Sequence, residues 1–389
     1  MDTIVNVFGG GMMSPVPDPY RIYRRLRREQ PVLLLNSPMG VTYLVTRYDD
    51  VLAILKNAAL YSSQANARGI GLVMGRTILE MDGKEHLRHR KVISPAFLPS
   101  ALKGATTEAI TTIAEALIDQ FARDGHADLV SQFTFTFPMR VIAHIIGIPI
   151  EDYAEFHRWG LDLISMGDNP ARGFAGAQAI VDYLRPILEQ RRKEPTGDLF
   201  STLVHAEVEG HRLTDEEVLS FLRLLLPAGA ETTYRLIGSV LFASLTHREQ
   251  LEEVLADRSK LDLAIEETLR WESPVQYVTR EPTAPVVLSG TEVPAGAMMT
   301  IAIGSANRDE GAFADPDRFD LHRRTDDHVA FGFGQHFCAG SHLARLEGRI
   351  AVNTVLDRLR NLRLDAAQDA KIVGLAFRSP SRLPVRFDV

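Results

Sequence analysis

From about residue 102 to residue 269, apolar residues recur at intervals of three and four, the spacing of one face of an α-helix. Residues 339–359 show the same intervals, and further helices are predicted at 49–56, 85–97 and 213–245. The patterning therefore predicts a protein whose middle is almost entirely helical.

Shorter apolar runs with strand character flank this helical part. They lie at 32–35, 41–46, 275–278, 286–288 and 298–303, between turns rich in proline and glycine, and the tail from 362 to 389 has the same character. Residues 305–330 lack clear periodicity. Because no internal repeat divides the chain, we expect one unit of the α+β class, mainly α with small β-sheets. Its expected extent is 1–389, with β-rich parts at about 30–60 and 275–303 plus 362–389 and helical parts at about 84–271 and 339–359.

Composition narrows the class of protein. The 389 residues are 45% hydrophobic and 24% charged, as in globular proteins, and the net charge of −7 argues against a general nucleic-acid binder. The longest apolar stretches are interrupted by Arg140 and Arg223 and fall short of the ~18 residues needed to span a membrane, so we expect no transmembrane anchor. A single cysteine cannot close an intramolecular disulfide, and these features together favour a cytoplasmic protein.

That single cysteine, Cys338, lies in the sequence FGFGQHFCAG at residues 331–340. A lone cysteine is often no more than a small buried hydrophobe. Here Gly334 permits a tight turn, Gly340 lets a flat macrocycle lie close to the backbone, and Phe331 can pack beside the sulfur. The predicted helix 339–359 follows at once, so Cys338 lies where backbone N–H groups favour a thiolate.

The decapeptide resembles the haem-binding loop of the cytochrome P450 monooxygenases, Phe-x-x-Gly-x-(Arg/His)-x-Cys-x-Gly, at every fixed position. The resemblance implies the cytochrome P450 fold, in which haem lies between a long central helix and the helix after the cysteine. It also implies haem b with a cysteine thiolate as axial ligand, here Cys338, and O2 as cosubstrate.

The predicted helix 213–245 is weakened in its middle by the sequence LPAGAETT at 226–233. Thr214 and Glu217 form a predicted capping box at its start. Pro227 removes a backbone donor and Gly229 weakens the helix further, which leaves carbonyl groups free to bond a hydroxyl or a water. A kinked core helix would show the same pattern.

This segment resembles the (Ala/Gly)-Gly-x-(Asp/Glu)-Thr motif of the same family. The resemblance implies that Thr232 lies over the iron and steadies the bound oxygen, and that Glu231 feeds protons from solvent through waters. Both residue types suit these roles, because a hydroxyl donates and accepts hydrogen bonds and a carboxylate relays protons.

Glu267 and Arg270 lie three residues apart on one predicted helix, where such a pair is most often a weak surface salt bridge. The pair also resembles the family's Glu-x-x-Arg motif, which is buried on the thiolate side of the haem and joined by a further arginine. By that resemblance Arg318 is expected as the third member, and the role of the three is structural.

Haem carries two propionates, which require donors. His86 and Arg90 are four residues apart on the predicted helix 85–97 and so share a face. The family places propionate contacts at positions that match these two residues, Arg280 and His336. An arginine or imidazolium against a carboxylate forms a strong, charge-assisted hydrogen bond.

The substrate pocket is expected by resemblance from apolar positions that would otherwise be core. They suit a lipophilic small molecule. The expected lining residues are Ile70, Leu72, Val73, Met74, Leu225, Ala228, Val275 and Val278.

The sequence is interpreted as a bacterial-type haem-dependent monooxygenase that hydroxylates a lipophilic substrate. It lacks a Gly-x-Gly-x-x-Gly dinucleotide fingerprint after a strand and a cysteine set for an iron–sulfur cluster, so a separate ferredoxin or flavodoxin with its reductase is implied. Such a carrier would dock on a basic face that contains Arg88, Lys91, Arg345 and Arg349.

Three alternatives remain open at this point. A peroxide-driven or isomerising enzyme would keep the fold and need no reductase, although the Glu231–Thr232 pair counts against it. A non-catalytic haem-binding sensor would use the same cofactor. A cysteine hydrolase would require a base directed at Cys338.

Overall fold

The computed structural model describes residues 16, 18–37, 40–149, 153–167 and 169–389. Its helices are α1 (Tyr20–Glu29), α2 (Tyr48–Lys56), α3 (Gly71–Met74), α4 (Gly83–Ile93), α5 (Ala105–Ile118), α6 (Phe137–Ile146), α7 (Tyr153–Ile164), α8 (Pro170–Lys193), α9 (Leu199–His205), α10 (Asp215–Thr246), α11 (Arg248–Ala256), α12 (Leu261–Trp271), α13 (Ile303–Ala306) and α14 (Ser341–Arg358). Short 3₁₀ turns lie at Gln64–Arg68, Ser94–Phe97, Ser165–Gly167, Arg258–Lys260 and Gly334–His336, and a π turn lies at Val130–Thr134.

The strands are short and form small sheets. They are β1 (Val32–Ser37), β2 (Gly40–Val45), β3 (Tyr61–Ser62), β4 (His126–Asp128), β5 (Glu207–Val208), β6 (His211–Arg212), β7 (Val278–Pro282), β8 (Val286–Leu288), β9 (Thr291–Val293), β10 (Met299–Ile301), β11 (Arg360–Leu364), β12 (Ile372–Val373), β13 (Ser379–Pro380) and β14 (Pro384–Asp388). One five-stranded sheet has the order β1-β2-β10-β7-β3, and β11-β14-β4 form a second sheet. In the first, β10 runs parallel to β2 and antiparallel to β7, which sets Met299 beside Arg280.

The long helix α10 organises the helical half of the molecule. It begins at the predicted capping box, in which Thr214 N donates to Glu217 Oε2 at 2.8 Å and Glu217 N donates to Thr214 Oγ1 at 3.2 Å. It continues through Pro227 to Thr246 and packs against α6, α8, α12 and α14. The main hydrophobic core surrounds it, so a side chain on α10 that remains accessible must face a cavity or a gap between elements.

A second, smaller core lies under the five-stranded sheet. Val45, Ile54 and Ile301 are fully buried there, together with Val329, which precedes the segment that carries Cys338. That segment therefore begins in the sheet half of the molecule and ends at α14 in the helical half. It joins the two.

The predicted class, mainly α with small sheets, is confirmed. The predicted strand at 275–278 is wrong, because the strand is Val278–Pro282. The segment before it is held by isolated pairing with residues 374–378: Val275 bridges Phe377, and Gln276 N donates to Ala376 O at 2.9 Å. The predicted helix 85–97 is α4 followed by a 3₁₀ turn, because Pro95 cannot supply a helical N–H.

Candidate active site

The loop that carries Cys338 is shaped by its glycines. Gly334 has a φ of +70°, and a Cβ there would lie 2.8 Å from the Leu55 carbonyl oxygen, so only glycine fits. Cys338 N donates to Phe331 O at 2.9 Å, which closes the loop just before α14 begins at Ser341. A Cβ on Gly340 would meet no atom within 4 Å, so the backbone beside the sulfur is open on that side.

The surroundings of Cys338 have opposing effects on the pKa of its thiol. Burial raises the pKa of the Cys338 thiol, while the backbone N–H groups of Gly340 and Ser341 and the guanidinium groups of Arg90 and Arg345 act to lower it. Among the described residues, no histidine side chain hydrogen-bonds the sulfur. A raised pKa without an adjacent base disfavours the cysteine hydrolase alternative, whereas a metal ion deprotonates a coordinating thiol outright.

His86 and His336 lie together at the edge of the loop, with ring centroids 4.2 Å apart. The Nε2 atom of His336 lies 3.1 Å from Ser63 Oγ and 3.3 Å from Asp82 Oδ1, and the Nδ1 atom of His86 lies 3.1 Å from Gln335 Nε2. Burial, and then the charges of His336 and Arg90, lower the pKa of His86 to about 4, so His86 is neutral at pH 7. A negatively charged group beside His86 and His336 would act to raise the pKa of His86.

Two arginines in the same region, Arg90 and Arg280, donate hydrogen bonds but form no ion pair with another described residue. Arg90 donates from Nη2 to Phe337 O at 2.5 Å and from Nε to Ser94 Oγ at 3.1 Å, and Arg280 donates from Nη1 to Thr279 O at 2.7 Å. Burial lowers the pKa of Arg280 to about 10. Within the described ranges neither guanidinium forms an ion pair within 4.0 Å, although Asp82 is near enough to act on Arg280, and a ligand's carboxylates would complete this environment.

On the central helix α10, Ala228 and Thr232 are accessible although the helix is otherwise largely buried. They are four residues apart and so share one face, together with Leu225. Thr232 Oγ1 donates to Ala228 O at 2.8 Å, the common bond of a helical threonine to the carbonyl four residues before it, and the helix is continuous through Pro227. This face is therefore the accessible side of an otherwise buried stretch of helix.

Glu231 points away from that face into a buried polar cluster. Its Oε1 accepts from Arg235 Nε at 3.1 Å and from the Tyr234 hydroxyl at 3.4 Å, and Arg235 Nη1 donates to Ser379 Oγ at 3.2 Å. Burial raises the pKa of Glu231, although Arg235 opposes the shift. Glu231 is therefore a buried acid that precedes Thr232 in the sequence and lies on a different face of α10.

The Glu267–Arg270 pair is fully buried. Arg270 Nε and Nη2 donate to the two oxygens of Glu267 at 2.7 Å each, and Arg270 Nη1 donates to the carbonyls of Asn307 and Pro316 at 2.9 and 2.8 Å. A buried pair satisfied in this way holds the irregular chain after α13 in place.

The expectation that Arg318 is the third member is wrong. Arg318 contributes only its carbonyl, which accepts from Arg270 at 3.2 Å, and its side chain is exposed. Arg323 takes the place instead, with Nε 3.1 Å from Glu267 Oε1. At position 318 the backbone carbonyl, and not the side chain, faces the buried pair.

The expected pocket residues fall into four groups. Leu225 and Ala228 lie on the Thr232 face of α10, Val73 and Met74 are buried in the main core, and Leu72 is exposed. The remaining three, which are Ile70, Val275 and Val278, are partly buried. Arg223 on α10 donates to Met74 O at 2.9 Å and so ties the segment of Ile70–Met74 to the central helix.

The basic face expected for a redox partner is partly neutralised. Lys91 pairs with Glu209, Arg345 with Glu266 and Arg349 with Asp262. None of the helices in the described ranges combines the length and the hydropathy that crossing a membrane requires.

A lone cysteine that closes a glycine loop before a helix, in a fold whose long central helix carries an accessible threonine, is typical of the haem-thiolate class of proteins. A cytochrome P450 family model matches residues 161–373. The chain is 37% identical over 386 residues to the cytochrome P450 monooxygenase PikC of Streptomyces venezuelae, which covers 95% of this chain and 91% of that protein.

Solved structures agree with this similarity. Cytochrome P450 CYP109Q5 from Chondromyces apiculatus matches with a TM-score of 0.87 and 37% identity, over 96% of each chain. P450BioI, in complex with an acyl carrier protein that carries hexadec-9Z-enoic acid, matches with a TM-score of 0.88 and 31% identity, over 95% of this chain and 99% of that one. The chain belongs to the cytochrome P450 family and is a monooxygenase of that family.

Several site residues were not predicted from the sequence. Arg235 lies four residues after Glu231, a helical spacing that could have indicated the pair. Asp82, which contacts His336, and Ser379, which contacts Arg235, are far away in the sequence and gave no such signal. Arg323 lies in a segment without periodicity, so only its position in space identifies it.

Proposed function

We propose that this protein is a haem b-dependent monooxygenase that inserts one atom of O2 into a lipophilic small organic molecule, with the Cys338 thiolate as the iron ligand. The observation that carries the proposal is Cys338 just before α14, in an open glycine loop, where Arg90 acts on the thiol and has no carboxylate partner among the described residues. The family's general dependence on a haem-thiolate cofactor supports it.

The residues present fit this cofactor. Cys338 would hold the iron, Gly340 would leave room for the macrocycle, and Phe331 and Gly334 would shape the loop. The two propionates would be bound by four donors, which are His86, Arg90, Arg280 and His336. When bound, haem supplies the redox chemistry that activates O2, and the thiolate donates electron density to it.

The chain's own contribution to that chemistry is proton delivery. Glu231 is buried with a raised pKa, so it holds a proton more readily than an exposed carboxyl group does. Thr232 presents its hydroxyl from the accessible face of α10 while it donates to Ala228 O at 2.8 Å. Glu231 would pass protons through water to the space in front of Thr232.

The substrate would be apolar. Leu225 and Ala228 on the Thr232 face offer it aliphatic surface, and Ile70, Leu72, Val73, Met74, Val275 and Val278 would complete the pocket. The solved structure of P450BioI is a complex with an acyl carrier protein that bears a fatty acid. This similarity supports a lipophilic class of substrate without specifying the molecule. Low- to high-spin optical shifts measured with terpenes, steroids, fatty acids and aromatics would identify the class.

Electrons would come from a ferredoxin or flavodoxin and its reductase, and the protein would work in the cytoplasm. The sequence carries one cysteine and no dinucleotide fingerprint, so a second redox centre within the chain is not expected. The electron carrier would dock on the face around Arg88. This face is close to the loop of Cys338, because Arg90 on the same helix, α4, donates to Phe337 O.

The test compares Thr232→Ala with Thr246→Ala, a matched control on the same helix. Thr246 Oγ1 donates to Phe242 O at 2.7 Å, the same bond that Thr232 makes to Ala228, but Thr246 lies at the end of α10. With a surrogate ferredoxin, its reductase and O2, we expect Thr232→Ala to lower the product formed per electron on the order of tenfold and to release peroxide. Thr246→Ala should behave as the wild type.

Two results would contradict the proposal. Unchanged coupling in Thr232→Ala would remove this residue from the mechanism. Turnover with peroxide alone, and none with O2 and the reductase, would support the peroxide-driven alternative.

A further inference from the structure

Glu266, the residue that precedes the buried Glu267, has no role in the proposed mechanism, but its carboxylate contacts two other side chains. Glu266 Oε1 accepts from Arg345 Nε at 2.5 Å, and its Oε2 accepts from Arg345 Nη2 at 2.9 Å. The same Oε2 lies 3.0 Å from Nε2 of His328. One carboxylate on α12 thus binds two cationic or polar side chains from elsewhere in the chain.

These two side chains lie on opposite sides of Cys338 in the sequence. His328 precedes the loop of Cys338, and its Nδ1 accepts from Ala330 N at 3.2 Å. Arg345 follows the loop, on the second turn of α14. Glu266 therefore ties the incoming and the outgoing arms of the loop to one point on α12, and this point is independent of the Glu267–Arg270 pair.

Arg345 also faces the interior of the loop. Its guanidinium carbon lies 4.4 Å from the centre of the Phe331 ring, and the ring of His328 lies 6.2 Å from the same ring. Phe331 O accepts the N–H of Cys338, so the ring under Arg345 belongs to the residue that closes the thiolate loop. A planar guanidinium that is both stacked and bidentate has little freedom to move.

The charge of this guanidinium reaches the sulfur. The positive charge of Arg345 acts on Cys338 in the direction that favours thiolate. In a partly buried site such an interaction is screened less than at an exposed surface. Burial acts to raise the pKa of Glu266, but the hydrogen bonds from Arg345 and His328 outweigh it and lower this pKa to about 2, so the carboxyl group is ionised at neutral pH.

We propose that Glu266, Arg345 and His328 form a positioning clamp for Cys338, which holds the thiolate loop closed and keeps a positive charge over Phe331. The clamp rests on the proposed function, because it acts on the iron only through Cys338. It has two separable effects: the ion pair resists opening of the loop, and the charge favours the reduced, more negative state of the iron site.

The chain contains a matched control one turn further along α14. Arg349 forms the same bidentate pair with Asp262, at 2.7 and 3.0 Å, but has no described contact with Phe331. Arg345→Gln and Arg349→Gln remove the same charge from the same helix face, and both affect any basic docking surface alike. Only Arg345→Gln releases the loop.

The measurements are made on the holoprotein without a redox partner. The first is the midpoint potential of the haem iron, and the second is the rate at which the ferrous carbonyl complex loses its red-shifted Soret band in mild denaturant. We expect Arg345→Gln to have a more negative potential and to lose the band on the order of tenfold faster, because charge-assisted bonds to the loop are lost. Arg349→Gln should match the wild type in both.

Arg345→Lys separates the two effects and guards against a variant that fails to fold. Lysine keeps the charge but cannot make the stacked, bidentate contact, so the potential should stay near that of the wild type while the band decays faster. Equal potentials and equal decay rates for Arg345→Gln and Arg349→Gln would overturn the clamp alone. A wild-type protein without any red-shifted band would instead overturn the proposed function.

Discussion

Two buried carboxyl groups on the helices that face each other across the core, α10 and α14, have contrasting environments. Glu231 on α10 is bonded to Arg235 and Tyr234, and burial still raises its pKa. Glu347 on α14 is completely buried, and its Oε2 atom has no hydrogen-bond partner within the part of the chain that the structure describes. Burial raises the pKa of Glu347 well above its ordinary value. Glu231 can therefore exchange protons, whereas Glu347 remains protonated and neutral.

Glu231→Gln should slow turnover on the order of a hundredfold, because the amide keeps the shape of the side chain but cannot carry a proton. The solvent isotope effect on turnover with O2 and a reductase should rise at the same time. Glu216→Gln, an exposed position on the same helix, serves as the control. Equal turnover rates in the two variants would exclude Glu231 from proton delivery.

Glu347→Gln should become more stable relative to the wild type as the pH rises. The folded-state pKa of Glu347 lies above the unfolded value near 4.5, so the wild type is fully stable below that value and loses stability as pH rises towards the folded pKa. The loss is at most about 1.4 kcal/mol per pH unit over that window. Melting temperatures of both proteins from pH 4 to pH 8 measure it, and a constant difference would show that Glu347 is not stored in the neutral form.

At the scale of elements, α12 acts as an anchor for the irregular chain between α13 and α14. Glu267 accepts from Arg270, from Arg323 at 3.1 Å and from the backbone N–H of Asp320 at 3.0 Å. Asn307 adds a further link, because its Oδ1 accepts from Val329 N at 2.8 Å. A long segment without periodicity is thus fixed by a few buried polar groups rather than by repeating secondary structure.

Glu267→Gln should destabilise the protein by about 3–5 kcal/mol, because it leaves the charges of Arg270 and Arg323 buried without their counter-ion. The yield of haem-loaded protein should fall with it. Glu253→Gln, which removes a partner of Lys260 at the surface, should change stability little. Unfolding curves of the two variants measure the contrast, and similar midpoints would mean that the Glu267 pair is dispensable.

At the scale of the whole molecule, the loop of Cys338 connects the sheet half to the helical half. Gly334 packs on Leu55, His336 contacts Asp82, and Arg90 reaches Phe337 from α4. Below the loop, Arg345 joins it to α12. Formation of the site therefore requires both halves to be folded and docked, and haem bound between them would stabilise that docking.

The sequence predicted what periodicity and short motifs encode. The bounds of α10 and its cap follow from local spacing, and the loop of Cys338 is recognisable from ten adjacent residues, whereas the short strands β3 to β6 were not predicted. Arg323 in place of Arg318, and the contact of Ser379 with Arg235, depend on how distant segments meet. Such contacts are set by tertiary packing, which leaves no local pattern.

The measurement that tests the central claim most directly is the spectrum of the reduced protein under carbon monoxide, recorded for the wild type and for Cys338→Ser. If the Cys338 thiolate holds the iron, the wild type shows the strongly red-shifted Soret band and the variant, which has no other cysteine, loses it. Retention of that band in Cys338→Ser, or a wild-type protein that binds no haem, would contradict the account.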